Sequence, residues 1–192
     1  MTPDLFNTRY QGQWQALWQE LAGRAPEAGL LAQLCMRYSE THRHYHTLQH
    51  LDACLGHLAR LRDQAKRAPE VAIALWFHDA IYDIGATDNE RRSADWASTA
   101  LAAAGVTPQV ADRVHALIMV TRHDQPPQTP DQALLLDIDL AILGAPGAVF
   151  DGYEQQIFRE YQSVPPAAMR SNRRRILQGF LGEVINRGCH HI

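Results

Sequence analysis

Apolar residues recur every three or four positions along this chain, and that period constrains its fold more than any other feature. Trp14, Leu17, Trp18 and Leu21 share one helical face, as do Leu30, Leu31, Leu34 and Tyr38. Alternation with a period of two, which a half-buried strand needs, is scarce. Start and stop signals divide the pattern. Thr47 is suited to N-cap a helix carrying Leu48, Leu51, Leu55 and Leu58, and Pro69 to open the next, through Val71, Ala74, Leu75 and Phe77. Gly105 stops an alanine-rich helix. Thr-Pro pairs open two more, the second ending at Gly144. Two last helices are expected over about 147–162 and 165–187. The expectation is an all-α bundle of eight or nine helices, a single domain over 1–192.

Composition narrows the function classes. Apolar residues make up 46% of the 192, enough for a sizeable core, and the net charge of -3 gives no reason to expect nucleic-acid binding. The run Arg173, Arg174 and Arg175 lies within a helical pattern and reads as a solvated face. Cys35, Cys54 and Cys189 are widely spaced and form no CxxC pair, which argues against a disulfide framework or a cysteine-based zinc site. The longest clean apolar run, VAIALWF, is 7 residues, against roughly 20 for a membrane span. With no signal-peptide pattern at the start, a cytoplasmic protein without membrane contact is expected. The tail CHHI, with Cys189, His190 and His191, reads as a frayed terminus.

Some polar residues stand where burial is costly. His78 and Asp79 end the most hydrophobic segment, ALWFHDAIYD, and Asp137 and Asp139 interrupt LLLDIDLAILG. A buried carboxylate must be paired, hydrogen-bonded or bound to a cation. YHTLQH adds His46 and His50, four residues apart. Together these residues form a nitrogen and oxygen donor set suited to a divalent transition metal: Mn, Zn, Fe, Ni or Co.

The order is more specific than the parts. His50, a His-Asp pair 28 residues later and an Asp 60 residues after Asp79, all in a helical chain, resemble the HD-domain superfamily of metal-dependent phosphohydrolases. The strings RHYHTLQHL, WFHDAIYD, DNERRSA, DIDLAILG and FREY resemble a family of small bacterial HD phosphohydrolases. The likeness spans about Arg43 to Ile185.

The resemblance implies a single HD domain with His50, His78, Asp79 and Asp139 as metal ligands. Asp139 is favoured over Asp137 by its sequence context. YHTLQH is also similar to a string of cyclic-nucleotide phosphodiesterases, which implies that His46 is the general acid while His50 binds metal. Glu90 resembles the glutamate that positions water in those enzymes. Dinuclear relatives carry extra histidines; here only His115 and His123 offer themselves. One tightly held metal is therefore expected, with a second, water-rich Mg site bridged by Asp79 as the alternative. Arg43, Arg122 and Arg159, with His123, are candidate substrate-binding residues, because a guanidinium fork suits phosphate oxygens.

The expected activity is hydrolysis of a small phosphomonoester or phosphodiester, a nucleotide among the candidates, by metal-activated water. The alternatives are an HD-type di-iron oxygenase and a non-catalytic metal- or nucleotide-binding module. The sequence leaves a homo-oligomer open.

Overall fold

The computed structural model describes residues 2–22 and 24–187; Cys189, His190 and His191 lie outside the described residues. It is all-helical. The order is α1 (Pro3–Ala22), α2 (Leu30–Arg37), α3 (Leu48–Leu61), α4 (Ala68–Phe77), α5 (Asn89–Ala103), α6 (Pro108–Met119), α7 (Pro130–Asp139), α8 (Gly147–Glu160) and α9 (Pro166–Arg187). Short 3₁₀ turns follow α3, α6 and α7. Among the described residues, no single helix is long and apolar enough to cross a membrane.

α4 is the axis of the bundle. It is apolar on every side, so it can only be stable when surrounded. It packs against α1, α3, α5, α6 and α7. Phe6, Tyr10 and Trp14 of α1 meet Trp76 edge-on, with ring centroids 4.9–5.9 Å away. Its one buried charge, Glu70, is neutralised by the guanidinium of Arg113, which donates to both carboxylate oxygens at 2.6 and 2.8 Å.

Both ends of α4 are satisfied from elsewhere in the chain. Asp131, at the start of α7, accepts from the backbone N–H groups of Lys66 and Arg67 at 2.7 and 3.1 Å. That contact ties the segment leading into α4 to the start of α7 and sets α7 alongside α4 in the same direction, so that Asp139 falls beside the far end of α4. There the guanidinium of Arg43, only 4% exposed, donates to the carbonyls of Asp79 (2.6 Å), Ala80 (3.2 Å) and His46 (3.2 Å). A cation is well placed at a helix C-terminus, where carbonyls lack partners.

Local signals held where they were strong. Thr47 caps α3 by accepting from Gln49, and Thr129 forms a full capping box with Gln132. Gly105 follows α5 with φ +78°, a conformation that favours glycine. The arginine run is only partly a solvated face. Arg174 and Arg175 are exposed, but Arg173 is buried, held by Glu154 at 2.5 Å and by the Tyr153 hydroxyl at 2.6 Å. It belongs to a second, smaller core in which Tyr153 and Ile157 of α8 meet Met169 of α9 and pack against Tyr45.

Candidate metal centre

α3 begins and α4 ends at the same place, and α7 ends beside both. His50 comes from the first turn of α3. His78 and Asp79 follow α4 directly, and Asp139 is the last residue of α7. The His50 and His78 Nε2 atoms lie 3.1 Å apart. An Asp139 oxygen is 3.1 Å from the first and 3.4 Å from the second. An Asp79 oxygen is 3.1 Å from His78 and 3.6 Å from His50. Four residues that the sequence spreads over 90 positions thus meet at one point, as the ligand assignment requires.

Donor chemistry suits a cation here. His78 donates its Nδ1 proton to the Leu75 carbonyl at 2.7 Å, which leaves the Nε2 lone pair facing the cluster. Two imidazole nitrogens this close cannot both keep protons on the facing atoms without repulsion. Around an ion with bonds of about 2.0–2.1 Å, tetrahedral ligand atoms stand roughly 3.4 Å apart, and the observed separations bracket that value. Burial opposes ionisation of Asp79 and Asp139, but the neighbouring imidazoles outweigh it and hold both carboxyls below the ordinary range.

Cys54, one turn after His50, joins this neighbourhood. His50, Cys54, His78 and Asp139 form a largely buried group that could hold a metal ion, one ligand atom from each lying within 4.8 Å of the others. Cys54 Sγ stands 3.8 Å from His50 Nδ1 and 3.7 Å from Nε2. Near-equal distances put the sulfur beside the ring rather than along the Nε2 lone pair, whereas Asp79 presents its oxygen to both imidazoles. Cys54 thus stands beside the cluster, and Asp79 is within reach of both imidazoles. Counting spacings among cysteines alone could not reveal Cys54; its place four residues after a candidate ligand could.

His46 sits just before α3, ahead of its Thr47 N-cap. Its ring stacks on Tyr82 with centroids 4.3 Å apart and lies 5.8 Å from His50. Its Nδ1 donates to Glu160 at 2.6 Å. The other Glu160 oxygen accepts from the backbone N–H groups of His44 at 2.7 Å, Tyr45, and His46 at 3.0 Å. Burial raises the Glu160 pKa, but these bonds prevail and lower it from 4.5 to about 2. Burial likewise works against the charged form of His46, yet Asp79 and Glu160 together raise its pKa. Glu160 was missed from the sequence. Its signal is the spacing Tyr153, Ile157, Glu160, a carboxylate on an otherwise buried helical stripe.

The other assignments divide. Glu90, half-buried in the first turn of α5, has its carboxyl pKa raised by burial and then by Asp79, so it stands within electrostatic reach of the cluster. Arg122 and His123 lower that same pKa, so both act electrostatically on Glu90, and Arg122 pairs with Asp124 at 3.1 Å. His123 adopts φ +55° and brings Nε2 to 3.9 Å from Asp139. Arg43 is not a substrate holder: its donors are occupied by backbone carbonyls and by Glu40. Arg159 lies on the exposed side of α8, where its neighbour Glu160 turns inward. His115 faces Asp95 at 3.2 Å, on α5, rather than the cluster. Asp137 is exposed, while Asp139 turns to the histidines.

Comparison with protein families, curated proteins and solved structures finds no match for this chain. The functional reading therefore rests on the site itself and on the motif likeness.

Proposed function

We propose that the protein is a metal-dependent phosphohydrolase acting on a small phosphate ester, with His50, His78, Asp79 and Asp139 as the ligands. The observation that carries this reading is the meeting of those four donors beside a histidine that is not one of them. A divalent cation held there supplies positive charge against the phosphoryl oxygens and makes water more acidic near neutral pH.

The chain's own groups supply the rest. Glu160 takes the Nδ1 proton of His46 as a hydrogen bond and fixes the ring, leaving Nε2 to donate to the oxygen of the departing group. The hydrogen bond to the Glu160 carboxylate favours the protonated ring that a proton donor needs. Glu90, whose carboxyl feels the charge of Asp79, is the candidate to accept a hydrogen bond from the attacking water. His123, 3.9 Å from Asp139, and Arg122, which would have to exchange its Asp124 partner, are the remaining candidates to meet phosphate oxygens.

The test is phosphate release from a panel of monoesters and diesters, with Mn, Zn, Fe, Ni or Co supplied and Mg added separately, in air and under argon. Release that needs metal and ignores oxygen is expected. Oxygen consumption without phosphate release would point to an HD-type oxygenase, and tight metal-dependent ligand binding without turnover to a non-catalytic module.

A further inference from the structure

A cleft of about 920 Å³ opens directly from the candidate centre, lined at one end by His50 and Asp139. One wall is a single stripe of α3: His50, Ala53, Cys54, His57 and Leu61 follow at helical spacing. From His50 to Leu61, 11 positions on, the stripe runs about 16 Å. The facing wall comes from α7, the turn after it and α8, with Leu134, Ile138, Ile142, Val149, Gly152 and Tyr153.

The two parts of the lining differ in chemistry. The buried part is Cys54, Leu134, Ile138 and Tyr153, whereas Gln49, Arg60, Gln64 and Asp137 are exposed. Val149 lines the same cleft at 53% exposure, an apolar surface left in water beside a polar rim. A floor of this kind gains most from covering by an apolar chain. A nucleotide would instead bring a polar base and ribose onto it.

The geometry points to a phosphate ester of an elongated apolar group as the ligand, its head at the metal centre and its chain along the α3 stripe toward Leu61. This rests on the phosphohydrolase reading for the head group and goes beyond it for the body. Burial of each methylene in a fully closed site is worth roughly fourfold in affinity. The cleft is open on one side, so about twofold per methylene is expected.

Non-hydrolysable probes test this without turnover. Ethyl-, butyl-, hexyl- and octylphosphonate would be titrated calorimetrically into zinc-loaded full-length protein and into protein stripped with chelator. In loaded protein, Kd should fall about twofold per methylene. Gly152→Leu places a side chain in the cleft where a Cβ meets nothing within 4 Å, and it should flatten the series. Gly12→Leu, on the exposed face of α1 with the same free space, should keep it. Thermal melts of both variants check that they fold. A flat series in wild type, with metal-dependent binding of every member, would overturn the cleft assignment and leave the phosphohydrolase reading standing. A series unchanged by Gly152→Leu would also overturn the cleft. Binding as tight in stripped protein, and with uncharged alkanols of the same length, would overturn both readings.

Discussion

His46 Nδ1 lies 2.6 Å from a Glu160 oxygen, across 114 residues of sequence. Glu160 is 1% exposed and also gathers three consecutive backbone N–H groups, so it fixes both the ring and the loop that carries it. Its carboxyl titrates near 2 in the fold, against 4.5 ordinarily. A lowered carboxyl pKa contributes stability above the unfolded value and loses it as pH falls through the folded one. Thermal melts should therefore show a loss between pH 4.5 and about 2 that Glu160→Gln lacks. Glu160→Ala should cost about 3 kcal/mol at neutral pH. Equal acid sensitivity in wild type and Glu160→Gln would remove Glu160 from this role.

Metal content should separate the two aspartates of α7. Residues two apart on a helix point roughly 200° apart, and Asp139 is the one beside His50 and His78. Asp139→Asn and His78→Ala should lose bound metal by elemental analysis, and Asp137→Asn should keep it. The reverse pattern for the aspartates would move the site by two residues.

His46→Ala should retain metal and fold while losing about 10²–10⁴ in rate on an alkyl phosphate, the usual range for a general acid. The loss should be small on a nitrophenyl ester, whose leaving group needs little protonation. Equal losses on both substrates would assign His46 to positioning alone.

Arg43→Met should destabilise the protein by about 2–4 kcal/mol, because it strands buried carbonyls at the end of α4. Denaturant unfolding measures this. A phosphate-holding role would instead raise KM and leave the unfolding midpoint where it was.

Much of the fold was legible in the sequence because helices announce themselves locally. The period of the apolar residues and the caps at Thr47, Thr129 and Gly105 depend on near neighbours. The cluster of candidate ligands was legible for a different reason: His78 and Asp79 end a helix that has no exposed face, so their burial demanded a purpose. Glu160 escaped because its partners are distant and a glutamate in an amphipathic helix is ordinary. Arg43 was misjudged because sequence shows proximity to a motif but not which carbonyls a bundle leaves bare. Arg173 was misjudged for a related reason, since its partners Tyr153 and Glu154 lie on another helix.

All four proposed ligands lie between residues 50 and 139, on helices packed around α4, whereas Glu160 belongs to the smaller core that α8 and α9 build afterwards. A ribosome makes the chain in that order. The four proposed ligands are complete in the nascent polypeptide before the carboxylate that orients His46 has been synthesised, so a growing chain can present the whole donor set before it holds the proposed proton donor in place.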